Sequence, residues 1–297
     1  MPFAEPELAV KNIDFESWIQ LTNSNQQRDF RRAVHMVLLA ISQAPSLPNE
    51  IVLKGGILMA LAHHGDRFTR DIDFSTSRTV AELPIDVVRN EIDSALSGVV
   101  GMSEYGLDCR IQSSELRPPD SNKNWPTLII KVGYASFSDR RRHTRLLHGK
   151  SPDIVRVECS FNEVVSSVEL LEVSPGTTVR AYGIVDLVSE KYRALIQQPI
   201  RNRYRRQDVY DINQLLNDAQ VHSDEVKELV LRSLIEKSRS RRIIVNASTL
   251  QDDEVRRRAE SDYKYLASEI AGPLPRFSES FERIKEYYAN LPWSTLD

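Results

Sequence analysis

The sequence predicts an α+β protein. A mixed sheet with an N-terminal helix fills residues 1–175, and a helical part follows over residues 176–297. Three observations carry this reading. Val155, Val157, Cys159 and Phe161 alternate with Arg156, Glu158, Ser160 and Asn162, which is the period of a strand with one buried face. A short apolar run, Ile51 to Leu53, leads through Gly55-Gly56 into a helix-like stretch and then into Asp71-Ile72-Asp73-Phe74. From Gly183 onward, apolar residues recur at spacings of three and four, the period of helices with one buried stripe.

Taken in order, residues 14–43 read as mainly helical, with Phe30, Val34, Val37, Leu38 and Ile41 on one face and Pro45 and Pro48 ending the run. Pro84 to Val99 reads as an amphipathic helix with Ile85, Val88, Ile92 and Leu96 together. Three strands are then expected at Leu107 to Leu116, Thr127 to Phe137 and Pro152 to Glu163, the second of them apolar enough to be interior. The arginines 140, 141, 142 and 145 fall in the hairpin or loop between the last two. Helices are expected from Ile184 to Gln198, around Val209 to Leu216, at Val226 to Ile235, Glu254 to Ile270 and Phe277 to Tyr288. The boundary between the two parts is placed near Ser174-Pro175-Gly176.

Composition narrows the function classes. The chain has 297 residues, 41% of them hydrophobic and 27% charged, and its formal net charge is -3, so bulk charge does not hold it to nucleic acid. No apolar run approaches the roughly 18 residues of a membrane span, so no membrane partner is expected. The N-terminus does not read as a secretory signal. Cys109 and Cys159 make no disulfide framework and no zinc spacing, and a reduced, cytoplasmic setting is expected. His63 and His64 read as structural residues. Arginines are clustered locally, at 140–145, 201–206, 239–242 and 256–258. Any one such run suits a solvated face, and several on a mildly acidic chain suit contact with a polyanion.

The carboxylates carry the chemistry. On a strand, Asp71 and Asp73 project from one face and Ile72 and Phe74 from the other. Like charges so placed repel, and a shared divalent cation removes that cost. Glu158 lies on the polar face of its own strand and is the candidate third carboxylate, or else a partner of Arg156 or Lys131. Gly55 and Gly56 open a helix, which lets backbone approach phosphates at a positive helix end. Either motif alone is common on surfaces, but the two in this order are rare.

The run Lys54-Gly55-Gly56, then Arg67-Phe68-Thr69-Arg70-Asp71-Ile72-Asp73-Phe74, then Ser189-Glu190-Lys191-Tyr192-Arg193-Ala194-Leu195 with Arg203, Asp208, Tyr210 and Asp211, resembles the AbiEii/AbiGii-type nucleotidyltransferases of the DNA polymerase β superfamily. The resemblance spans roughly residues 51 to 216. It implies a nucleotidyltransferase domain followed by a helical domain, and transfer of an NMP from an NTP to an acceptor. Asp71, Asp73 and Glu158 would bind Mg2+. Lys54, Gly55, Gly56, Arg70, Lys191, Arg203 and Asp208 would bind the nucleotide, with Lys191 and Asp211 also catalytic. The chain departs from the family at Gln207, where arginine is more usual, and Arg206 is the expected substitute. A toxin or phage-defence role is implied, with a cognate antitoxin as partner and tRNA or another RNA as acceptor. The alternative is a catalytically degenerate member that binds nucleotide or RNA.

Overall fold

The computed structural model describes residues 8–22, 24–63, 65–120 and 124–296; His64 and the first seven residues of the N-terminus lie outside them. The chain forms two compact units, Met1–Ala62 with Arg70–Ala181, and His63–Thr69 with Tyr182–Asp297.

The first unit runs β1 (Val10–Asn12), α1 (Phe15–Gln20), α2 (Asn25–Gln43), α3 (Leu47–Glu50), β2 (Val52–Lys54), α4 (Gly55–Ala62), β3 (Asp71–Ser75), α5 (Ile85–Met102), β4 (Leu107–Arg117), β5 (Thr127–Ser136), α6 (Arg140–Leu147), β6 (Ile154–Ser160), β7 (Val168–Ser174) and β8 (Thr177–Tyr182). Among the described residues the strands form one mixed eight-stranded sheet in the order β1-β7-β8-β2-β3-β6-β5-β4. The pairs β3–β6, β2–β8 and β1–β7 are parallel, while β2–β3, β5–β6 and β4–β5 are antiparallel.

Alternation along these strands separates an apolar face from a polar one. Ile72, Phe74, Val155, Val157 and Cys159 are buried on the apolar face. Helix α2 covers that face, with Met36 Sδ 3.8 Å from Cys109 Sγ on β4. The stripe Phe30, Val34, Val37, Leu38 and Ile41 makes α2 the central core helix, and Ser24 caps its start by accepting from the Gln27 N–H. On α5, Val88, Ile92, Leu96 and Val99 are buried, and the helix packs against α2 and β4.

Three local expectations are corrected. The arginine run 140–145 forms a helix rather than a hairpin or loop: Asp139 caps it by accepting from the Arg142 N–H, and Leu146 anchors it. The sheet continues past residue 175, because Ser174-Pro175-Gly176 links β7 to β8, with Gly176 at a φ of 72°. In the second unit, the helix expected from Glu254 to Ile270 stops at α11 (Asp253–Glu260); Asp262 turns left-handed at a φ of 61°, and a 3-10 turn over Tyr263–Ser268 follows.

The rest of the second unit comprises α7 (Ile184–Ile196), α8 (Gln198–Arg201), α9 (Arg206–Leu215) and α10 (Asp224–Ser240) ahead of α11, and α12 (Phe277–Ala289) after it. Helix α7 is its axis. Val185, Leu187, Val188, Leu195 and Ile196 are buried, and the Tyr192 hydroxyl donates to the Ile284 carbonyl of α12 at 2.7 Å. Toward α10, buried Asp186 accepts from Ser233 at 2.8 Å and pairs with Lys237 at 3.4 Å. Segment 63–69 joins this unit through its backbone: Phe68 N–H donates to the Glu269 carbonyl at 2.6 Å, and Ala271 N–H to that of Asp66 at 3.3 Å. No helix of the structure is long and apolar enough to cross a membrane among the described residues.

Candidate active site

The candidate residues fall into two sets, one in each unit. In the first unit, strand register sets the geometry. Asp73 of β3 is directly beside Glu158 of β6, and Asp71 is directly beside Arg156. Lys54 of β2 is opposite Asp73 on the other side. Facing residues of paired strands share a sheet face, so Lys54, Asp71, Asp73, Arg156 and Glu158 all belong to the polar face.

Gly55 explains why the glycine turn and the carboxylates go together. Its φ is 77°, which favours glycine, and a Cβ there would overlap Asp73 Oδ2 and come within 2.9 Å of Asp73 Cγ. The start of α4 is therefore laid against the Asp73 carboxylate. Gly56 is buried in the first turn of the same helix. Lys54 Nζ is 3.9 Å from Glu163 Oε1, and Arg70 is exposed at the entry to β3.

Burial raises the pKa of Asp71, and Arg156 and Arg70 oppose the shift. A half-buried carboxylate made costly to ionise is one that a cation would stabilise. The donors are all hard carboxylate oxygens, which suits magnesium or calcium over zinc or copper. Glu158 is placed differently from the other two: its Oε1 is 2.6 Å from Arg156 Nε in an ion pair that lacks hydrogen-bond alignment. Among the described residues no group of three acidic, histidine or cysteine side chains is gathered closely enough to hold a metal ion. Magnesium is commonly held by one or two carboxylates, with substrate phosphates and water completing its shell. The Asp71–Asp73 pair fits that pattern, and Glu158 would have to leave Arg156 to join it.

In the second unit, Lys191 of α7 meets the acids of α9. Its Nζ donates to Asp208 Oδ1 at 3.0 Å and to Asp211 Oδ2 at 2.6 Å. Arg67, from segment 63–69, holds Asp211 with two parallel hydrogen bonds of 3.1 Å through Nε and NH2. Burial alone would lower the pKa of Lys191, but Asp211 and Asp208 outweigh it and the net shift is upward. Burial would raise Asp211, but Lys191 and Arg67 hold it below the usual carboxylate range. The ammonium and the carboxylate are thus fixed in their charged forms. Asp208 is 2% exposed, and its Oδ2 has no hydrogen-bond partner, with Arg205 Nε 3.9 Å away.

The structure corrects the role expected of Arg206, whose guanidinium pairs with Glu269 at 2.8 Å. Arg205 is the neighbouring arginine that faces Asp208. Arg203 and Tyr204 lie exposed in the α8–α9 loop, with Arg258 stacked over the Tyr204 ring at 5.3 Å. The residue that sequence reasoning left without a role is Arg67. It stands 144 positions from Asp211, and its one sequence signal is its place in the Arg67–Phe74 run.

The family model described as "Nucleotidyl transferase AbiEii toxin, Type IV TA system" matches residues 37–289. Among solved structures the chain is similar to MenT4, a nucleotidyltransferase toxin of Mycobacterium tuberculosis H37Rv. The TM-score is 0.56 at 16% identity, covering 95% of this chain and 89% of that one. It is also similar to JHP933 from Helicobacter pylori, with a TM-score of 0.50 at 16% identity over 90% and 92% of the two chains. At such identity these likenesses speak for the fold. No curated protein matches the sequence. Nucleotidyltransferases of this superfamily generally use a divalent metal. The chain belongs to the AbiEii family of nucleotidyltransferase toxins.

Proposed function

We propose that the protein transfers an NMP from an NTP to the 3′ end of an RNA, tRNA foremost, in a magnesium-dependent reaction in the cytoplasm, and that a cognate antitoxin restrains it. The observation that carries this reading is the register of β3 against β6, together with the Gly55 turn packed on Asp73. Asp71 and Asp73 are the residues that would hold magnesium, with Glu158 joining them on release from Arg156. Bound magnesium would neutralise phosphate charge and favour departure of pyrophosphate.

The remaining roles belong to the chain's own groups. The N–H groups at the start of α4 point along a positive helix end suited to phosphate. Lys54 and Arg70 add charge to that face. Lys191, kept protonated by Asp208 and Asp211, is a fixed cation and not a general base. Arg203 meets phosphate or the acceptor.

The test is incubation of purified protein with total RNA, magnesium and each labelled NTP in turn. One NTP labelling one RNA size class is expected. Label reaching only protein or small molecules would overturn the RNA acceptor.

A further inference from the structure

The four arginine runs look alike in sequence, but their surroundings differ. Arg256 pairs with Glu282 at 3.1 Å, and Arg257 and Arg258 pair with Glu254 at 2.7 and 2.5 Å. Arg205 faces Asp208 and Arg206 pairs with Glu269. Arg239 and Arg242 lie at the C-terminal end of α10, where the helix dipole offers a cation negative partial charge.

Helix α6 has no such account. Arg142 pairs with Asp153 at 2.9 Å, but exposed Arg140, Arg141, Arg145 and Lys150 have no carboxylate at ion-pair distance among the described residues. Arg140 and Arg141 stand in the first turn, beside the positive end of the dipole, where cations cost stability. Fold stability does not ask for these charges here.

Their placement points to a ligand. Gly133 of β5 belongs to the same sheet face as Lys131, and a Cβ on it would come within 2.8 Å of Ser151 Cβ in the turn that follows α6. The α6–β6 connection therefore covers the polar face about 7 Å along β5 from Lys131. Exposed Lys131 is itself directly beside Arg156, and Arg156 is beside Asp71. Cations thus run from α6 across Lys131 to the carboxylate row within one unit. Phe137, 49% exposed, flanks α6 with its ring 5.1 Å from that of His143. An exposed aromatic beside unpaired arginines suits stacked bases and phosphates.

We infer that α6 and its flanks, Phe137 and Lys150, form the docking surface for the phosphodiester backbone of the RNA acceptor, whose end is led over Lys131 toward Asp71 and Asp73. This rests on the proposed RNA-modifying function. The test is the triple variant Arg140→Gln, Arg141→Gln and Arg145→Gln, which keeps the Asp139 cap and the Arg142–Asp153 pair. Its melting temperature is expected to equal or exceed that of the wild type.

The RNA KM should rise tenfold or more while the NTP KM stays within twofold. The slope of log affinity against log salt should become shallower by about 2, near 0.7 for each lost single-strand phosphate contact. Phe137→Ala should weaken RNA binding and leave that slope unchanged. If the wild type labels RNA and the triple variant keeps its RNA KM and salt slope, the docking surface is wrong while the reaction stands. If the wild type labels no RNA, the proposed function fails, and direct binding of total RNA to both proteins still decides the surface: equal binding overturns it. Unchanged RNA binding with lost binding of an acidic protein partner would also overturn it.

Discussion

The carboxylate face of the sheet and the Lys191 knot both gather charged residues, yet they solve opposite problems. In the knot, Lys191 and Arg67 stand against Asp208 and Asp211, two positive charges against two negative, nearly sealed from water. On the sheet, Asp71, Asp73 and Glu158 share a face with Arg156, and burial makes Asp71 costly to ionise. A buried charge with its partner already in place is a positioning device. On the sheet face Asp71, Asp73 and Glu158 stand among Lys54, Lys131 and Arg156, and Asp71 there carries a burial cost that a ligand cation would offset. Charge content does not separate the two cases: the knot is nearly sealed from water, while Asp71 and Asp73 remain partly exposed to a ligand.

The largest effect expected from breaking this contrast is on chemistry. Asp71→Asn with Asp73→Asn should lower transfer of labelled NTP on the order of 10³-fold or more while the melting curve stays close to that of the wild type. Full activity in that variant would sink the metal assignment. Asp211→Asn should do the reverse in the first instance, costing about 3–5 kcal/mol of stability because Lys191 and Arg67 lose a buried partner. Denaturant unfolding measures it, and an unchanged midpoint would show that the knot is not structural.

Gly55→Ala sharpens the link between turn and carboxylate. Its left-handed φ costs about 1–2 kcal/mol, and the new methyl must displace Asp73, so a loss of activity of roughly 100-fold is expected in single-turnover assays. The smallest effect concerns pH. Asp211 is depressed below 3.8, so its stabilisation is complete above that value and lost as pH falls through the lower folded value. Lys191 is raised above 10.5, so its contribution is complete below that pH and lost as pH rises through the higher folded value. These two groups should leave stability flat between about pH 5 and 9, as melts across that range can check.

Legibility followed the range of the interactions. The alternation of Val155 to Phe161 was readable because period two is written locally, and so was the stripe of α2. The Gly55 turn and the Asp71–Asp73 pair were readable because backbone freedom and like-charge repulsion leave marks in neighbouring residues. The β7–β8 hairpin was missed because Pro175-Gly176 serves equally well as a linker or as a tight turn. Helix α6 was missed because four arginines carry no apolar period, and its order comes from one cap and from Leu146. The pairing of Arg67 with Asp211 could not be read locally, since no periodicity connects positions so far apart. Nor could the pairing of Arg206 with Glu269 and of Arg256 with Glu282, which depends on where distant glutamates arrive.

The attachment of segment 63–69 to the helical unit bears on how the chain can be dissected. The polypeptide passes between the two units at residues 62/63, 69/70 and 181/182. A fragment beginning at Tyr182 would lack Arg67 and the strand-like backbone partner of Glu269–Ala271, leaving Asp211 with Lys191 as its remaining cation. A fragment ending at Ala181 would carry the same seven residues with nothing to dock on. Neither half is an autonomous module, so the toxin is poorly suited to being split and reassembled at its most obvious seam. A cut inside segment 63–69 that left both halves bound would instead spare every one of these contacts except those of the cut residues themselves.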